Sequence, residues 1–406
     1  MPVLCWGNLA KSATDSQRIE EAMDQYILRH NEDPMAHIGE DYSLGVHRLQ
    51  AVLDHADYSV INAKIEKFSR AFRYIVGSGD GDDFEDIQDA IDAANAEGGG
   101  RIFIKNGIYH QTADLVLYDN IELIGEDDDF VKIDFDDGNY RVKAIGTAET
   151  HKKNIVLRDI QIRESSSSQS ALYLEYADDV NITGVYFYDN GSYDVEIKNC
   201  ERIRVDFNRL TNSGNGIKVD SSSYITITKN TFESTTNPYK CVYLKDNASV
   251  TIAFNYAKSI TGWFVYGEFQ NDDVQIMSNY GDGLRMHGIY LENPPRAIVA
   301  FNALKAKSQH TYNNPYDGIN VYQDLQQYAG MRVSIIGNSV EHFQRDGIRI
   351  HLKNSLVNNN VIFWIGGKSI RVWGDFNAYN AIIGNNFKFY PYQIAGTGNL
   401  ARGNLE

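Results

Sequence analysis

The chain has 406 residues, 43% of them hydrophobic, and a formal net charge of −16. The apolar share supports a sizeable core and argues against disorder, while the acidic balance argues against nucleic acid or anionic membrane as a partner, since both need a basic footprint. Cys5, Cys200 and Cys241 are widely separated; they lack the spacing of a zinc site or a disulfide framework, and at least two are expected to be small buried hydrophobes.

The first residues, Met1 to Gly7, have a short apolar run and no basic segment, so no secretory signal is expected and synthesis in a cytoplasm fits. No run of 18 apolar residues follows, so no membrane insertion is predicted. Thr14 to Ile27 predicts an amphipathic helix with an N-terminal cap, Asp33-Pro34 breaks it, and Ser43 caps a second short helix to about Leu53. These pieces hold few apolar residues, so 1–74 is read as an attachment or oligomerisation segment that relies on symmetry mates or another protein. His30, His37, His47 and His55 lie in it. Imidazoles on a three-fold axis could hold a transition metal, but no His-x-His pair is present, and packing at a subunit interface is the plainer reading; neither metal nor other cofactor is expected.

From residue 75 the pattern changes. Phe84, Ile87, Ile91 and Ala94 share one face of a helix predicted at about 82–96, with Asp82 and Asp83 at its positive end. Gly98 to Gly100 ends that helix, Arg101 to Ile104 begins a sheet, and Asn106-Gly107 turns the chain. A helix here would cap the open end of a solenoid.

A short repeat then dominates: alternating apolar residues followed by Asn, ending at Asn208, Asn230, Asn255, Asn279, Asn302, Asn338, Asn360 and Asn386. Subtracting residue numbers gives spacings of 22, 25, 24, 23, 36, 22 and 26. A second strand follows each copy, such as Gly216 to Val219, Gly288 to Leu291 and Gly347 to Ile350. Short period-2 strands recurring at this interval predict an all-β fold, a single-stranded parallel β-helix over 75–406. The recurring Asn residues are expected to take the left-handed backbone of a tight turn and to bond one another as a structural ladder.

The residues just after the second strand form a polar column: Glu175, Lys198, Asp220, Lys245, Glu292, Gln323 and His351, with Glu268 close by. It is readable as a substrate groove or as a solvated face of alternating charge, the latter being the plainer. Asp317-Gly318 and Asp346-Gly347 repeat at equivalent positions; ordinary turn chemistry explains them, yet Glu268, Glu292, Asp317 and Asp346 are the candidate catalytic carboxylates if a glycan is cleaved. Trp263, Tyr266, Tyr312, Tyr316, Tyr322 and Trp373 fall in or near irregular segments; their flat faces and polar handles suit sugar rings. The longest coil, from Asn302 to Asn338, carries Gln309 to Asp317, and long loops on rigid scaffolds concentrate binding.

Phe84, Ile87-Gln88, Ala90-Ile91, the three glycines and Gly107-Ile108-Tyr109 resemble the opening of the pectate-lyase-like right-handed β-helix superfamily, which implies the handedness but not the activity. His30 to His37, with Asp33-Pro34 and Ala36, resembles the His-x-x-Asp-Pro-x-Ala-His element of phage tail fibres, and Leu53 to Ile65, with Asp54-His55, Ser59-Val60 and Ala63-Lys64, resembles a second such element in which Tyr58 replaces the usual Gly. The resemblance implies a homotrimeric virion protein, a tail fibre or tailspike, that joins other virion or baseplate proteins through 1–74 and binds a host cell-surface polysaccharide. A polysaccharide depolymerase on the same scaffold and a purely structural virion component are the alternatives. Asn271-Asp272-Asp273, His287-Gly288 and Arg349-Ile350-His351 echo polygalacturonase motifs only loosely, and whether the protein is an enzyme stays open.

Overall fold

The computed structural model describes residues 74–135, 140–164, 169–233, 239–307, 316–323, 332–372, 380–388, 392–394 and 399–404. The chain divides into Met1–Ala71 and Phe72–Glu406, and every described residue lies in the second unit. The predicted helices of 1–74 and His30, His37, His47 and His55 lie outside the described residues.

Residues 74–404 build three sheets of 14, 12 and 12 strands. One coil illustrates the plan: Glu201–Asp206 belongs to the first sheet, Arg209–Thr211 to the second and Asn215–Asp220 to the third, and Ser223–Thr228 re-enters the first sheet one coil on. Neighbouring coils pair in parallel, with Ile203 beside Val180 and Ile225, and Val205 beside Ile182 and Ile227. Alternation sends those side chains into one continuous buried core. The result is a right-handed parallel β-helix of about 12 turns.

The capping helix, α1 (Ile87–Ala96), starts later than the sequence suggests. Asp86 is its cap and accepts the amide hydrogens of Gln88 and Asp89 at 2.7 and 3.1 Å. Asp82 instead bonds the amide of Gly79 and pairs with Lys105, while Asp83 accepts the amide of Ile75. The two acids therefore tie down the loop before the helix. Ile87, Ala90, Ile91 and Ala94 are its buried face. Gly99 must be glycine: its φ is +116°, and a Cβ would lie 2.6 Å from the carbonyl oxygen of Asn120.

The corner between the first and second sheets holds the Asn ladder. The Nδ2 of Asn208 donates to Oδ1 of Asn230 at 2.9 Å, and the line continues through Asn255, Asn279, Asn302, Asn338 and Asn360. Each rung also receives the preceding rung's backbone N–H and donates to a strand carbonyl, as Asn255 does to Ile227. The left-handed conformation falls on the residue before the Asn, not on the Asn itself: Phe207, Lys229, Phe254, Ser278 and Phe301 have φ between 55° and 58°. The last expected rung is also displaced. Asn360 bonds Asn385, which continues to Asn404, while Asn386 is exposed and opens the strand Asn386–Lys388. Val357 pairs with Ile382, and each rung follows its inward apolar residue by three positions, so Ile382, not Ile383, sets the register; a slip of one residue exchanges the faces.

A second polar column at the corner between the third and first sheets escaped the sequence reading. The amide of Cys200 donates to Ser222, that of Ser222 to Asn247, and that of Asn247 to Asn271. Asn271 is thus a ladder rung, and its neighbour Asp272 is clasped by Arg296 at 2.9 and 3.0 Å. Cys200 and Cys241 are buried free thiols, as expected of small hydrophobes.

Asp194 is a fully buried carboxyl, held by Asn190 Nδ2 at 2.7 Å and Ser213 Oγ at 2.5 Å. Burial pushes its pKa up to about 8 from an ordinary 3.8. Between those values the unfolded chain binds fewer protons than the folded one, so this group lowers stability as pH rises through the window. Asp194→Asn should therefore melt closer to pH-independently from pH 5 to pH 8, whereas the wild type loses melting temperature; equal pH slopes would reject the assignment. Asn255→Ala strands two donors and two acceptors and should cost about 3 kcal/mol or more in urea unfolding. The same change at exposed Asn386 should stay within ~0.5 kcal/mol.

Candidate functional site

The outward face of the third sheet is ordered into columns because its coils stack in register. In the middle column Tyr173, Glu196, Lys218, Tyr243, Tyr266 and Tyr290 succeed one another, followed by Asn320, Arg349 and Arg371. The neighbouring column reads Glu175, Lys198, Asp220, Lys245 and Glu268, and after Glu292 it continues with Tyr322 and His351. Glu268 is thus in the polar column itself, and Tyr322 holds the place expected of Gln323, which is buried.

At its N-terminal end this face neutralises itself. Glu175 meets Lys198 at 2.7 Å, Glu196 meets Lys218 at 2.7 Å, and Lys245 lies 4.0 Å from Asp220. Opposite charges one coil apart are the solvated-face arrangement. The alternation breaks at Glu268. Glu268 and Glu292 end equivalent strands on successive coils, Trp263–Glu268 and Ile289–Glu292, so two acids adjoin at the inter-strand spacing of about 4.8 Å.

The aromatic residues concentrate where the alternation stops. Ring centroids lie 5.9 Å apart for Tyr243 and Tyr266 and 5.2 Å for Tyr266 and Tyr290, with interplanar angles of 27° and 14°. Trp263 leans on Tyr266 at 5.1 Å. The Lys240 ammonium sits over this group, 4.6 Å from the Tyr243 centroid and 4.7 Å from that of Tyr266. The Tyr243 hydroxyl donates to Glu268 at 2.6 Å. Burial, reinforced by bonding to Glu268, pushes the phenols of Tyr243 and Tyr266 well up, so both remain donors and orient the Glu268 carboxylate. Farther along, Tyr322 stacks on His351 at 5.0 Å.

The expected carboxylates therefore separate into two kinds. Glu268 and Glu292 are half-buried on the outward face. Asp317 and Asp346 are fully buried, which corrects the expectation that they present oxygens to a substrate. Asp317 grips Arg345 through both oxygens, one bond measuring 2.6 Å, and accepts Asn320 Nδ2 at 2.8 Å and the Asp346 amide at 3.0 Å. Asp346 accepts the Lys368 amide at 2.8 Å and lies 2.7 Å from Arg371 Nε. They tie successive coils together at one corner. His287 belongs to the same corner. Its Nδ1 accepts the Asp317 amide at 3.0 Å, so Nε2 carries the proton, and burial pushes its pKa down to about 4. Tyr316 packs edge-on to it at 5.1 Å.

Of the expected glycan-contacting residues, the structure brings Trp263 and Tyr266 into one cluster, sets Tyr316 against His287, and puts Tyr322 farther along the face. Tyr312 and Trp373 lie outside the described residues. The sequence reading missed Tyr243, Tyr290, Lys240, Arg345 and Arg371, and met Arg349 only as a loose echo of a polygalacturonase motif. The signal for three of them was present: Val242-Tyr243, Ile289-Tyr290 and Ile348-Arg349 each put the outward residue directly after the inward apolar one, so aligning strands by their inward residues recovers the column.

The family described as right handed beta helix region matches residues 150–327. No curated protein sequence matches the chain. Among solved structures, the chain is similar to the DFA-IIIase of Arthrobacter chlorophenolicus A6 in complex with GF2, with a TM-score of 0.57 and 12% identity over 73% of this chain and 90% of that one. It is similar to an exopolygalacturonase from Thermotoga maritima, with a TM-score of 0.52 and 12% identity over 75% and 87%. Tailspike protein 3 of bacteriophage CBA120 matches with a TM-score of 0.48 and 14% identity over 90% of this chain and 69% of that one. At such identities the likeness is one of fold, and chemistry has to be argued from the side chains.

The division between corner and face carries a test. Asp317→Asn leaves Arg345 without its carboxylate and should cost ~3 kcal/mol in urea unfolding. Glu292→Gln, on the outward face, should change stability by less than ~0.5 kcal/mol. Equal effects would undo the division.

Proposed function

We propose that this protein is a bacteriophage tail fibre or tailspike that binds a host cell-surface polysaccharide along the outward face of its third sheet. The observation that carries the binding part is the stacked Tyr243, Tyr266 and Tyr290 column beside Trp263, lying where the self-neutralising charges of the face give way. Ring edges and phenol hydroxyls repeated one coil apart along a straight track, beside the Trp263 indole, suit an extended chain of sugar rings. The phage part rests on the tail-fibre resemblances at 30–37 and 53–65, which also favour a homotrimer attached to the virion tail through 1–74 and made in the host cytoplasm.

A depolymerase is the second reading. It is favoured by Glu268 and Glu292 on successive coils, two outward acids beside one track, as glycoside hydrolysis requires a pair of carboxyl groups. Glu268, held by tyrosine hydroxyls, would then be the fixed carboxylate, and Glu292 its partner.

Labelled full-length protein applied to an array of bacterial surface polysaccharides should be retained by some of them. A Tyr266→Ala, Tyr290→Ala double variant should bind at least about tenfold more weakly, equivalent to ~1.4 kcal/mol; unchanged retention would remove the aromatic column from the binding surface. Reducing ends released from a retained polysaccharide, and abolished by Glu268→Gln, would establish the depolymerase. Their absence from the wild type would leave a binding protein. Light scattering should give the mass of three 45.8 kDa chains, and a monomeric mass would overturn the trimer.

A further inference from the structure

The C-terminal stretch of the same face has a different character. Past Tyr290 the middle column changes from rings to Asn320, Arg349 and Arg371, and Arg345 joins them from the adjoining corner through its bond to Asp317. Arg349 and Arg371 are direct partners across one parallel pair, an arrangement of like charges that is unfavourable by itself. Three guanidiniums are gathered over two carboxylates. Asp317 and Asp346 are spent on corner bonds and are fully buried, whereas the side chains of Arg345 and Arg371 remain 29% and 31% exposed. His287, also at the corner, contributes no charge at neutral pH, because burial holds its pKa near 4. Among the described residues of this stretch, a local positive excess therefore faces outward on a chain whose formal charge is −16.

The physical environment of Arg349 points the same way. Burial first, then the neighbouring Arg345 and Arg371 charges, push its pKa down against the opposing pull of Asp317 and Asp346, so a negative group placed here offsets the remaining repulsion as well as gaining charge-assisted hydrogen bonds. Planar guanidiniums suit the two-oxygen geometry of a carboxylate, sulfate or phosphate.

We infer that Arg345, Arg349 and Arg371 form an anion subsite at the end of the aromatic column, and that the polysaccharide bound along this face is acidic. Its uncharged rings lie along the edges and hydroxyls of Tyr266 and Tyr290, and its anionic substituent lies two to three coils farther on, roughly 10–15 Å at the inter-strand spacing. This inference rests on the glycan-binding reading and narrows its substrate class. The neutral-face alternative treats the three arginines solely as ties between coils.

The test uses full-length protein and acidic bacterial polysaccharides, each beside its carboxyl-reduced, desulfated or dephosphorylated neutral form. The expected result is retention of at least one acidic polysaccharide, with affinity at least tenfold lower for its neutral form. Arg349→Gln should reproduce that loss on the acidic form without changing binding of the neutral one. Arg349→Lys should recover part of it, and added salt should weaken only the acidic interaction. Should Arg349→Gln fail to fold, as judged by its melting temperature, the comparison between acidic and neutral ligand still decides the matter. Neutral forms bound as tightly as acidic ones would overturn the anion subsite and leave the glycan reading intact. Retention of no polysaccharide of either kind would overturn both.

Discussion

A parallel β-helix must turn its chain several times per coil while keeping corner amides away from water, and the Asn ladder meets that constraint. A buried N–H without a partner costs about as much as the hydrogen bond it lacks. Here a single side chain, such as that of Asn255, receives both the amide and the Nδ2 hydrogens of Asn230 and donates to Ile227 and Asn279. Because each rung links one coil to the next, it also fixes their register. The left-handed conformation is passed to the preceding residue, even to exposed phenylalanines such as Phe254 and Phe301, at roughly 1–2 kcal/mol for a residue with a Cβ.

Register turns a sequence of strands into columns of like position. On the third sheet this gives charge pairs at one end, stacked rings in the middle and guanidiniums at the other. None of these groupings is local in sequence: Tyr243, Tyr266 and Tyr290 adjoin only because Val242, Val265 and Ile289 stack beneath them. The buried Asp317 and Asp346 hold the corner beside that face, so rigidity at the corner and chemistry on the face come from different residues.

The fold was legible because the repeat is dense and its period short. The errors were of register and of burial. Two adjacent asparagines, Asn385 and Asn386, could each complete the pattern, and only the pairing of Ile382 with Val357 chooses between them. Asp82 and Asp83 suit the positive end of a helix starting at about 82, but the helix begins at Ile87 and Asp86 caps it. Asp317 and Asp346 looked like surface carboxylates because the sequence does not reveal that Arg345 and Arg371 reach back one coil to cover them. The polar column after the strand stands out by its charges, whereas the column within it, with Tyr290 and Arg371, emerges only when strands are aligned by their inward residues.

The ladder has a further consequence for how such a protein can change over generations. Within each sheet a strand pairs only with those of the coils on either side, and the corner amides can donate to any neighbour that offers the same rung. Outward residues can thus be exchanged singly without disturbing the inner wall, while a whole coil can be gained or lost as a unit that shifts everything beyond it by about 4.8 Å. The scaffold is a ruler with fixed graduations and erasable markings, so the pattern written on its face is free to drift far faster than the spacing that carries it.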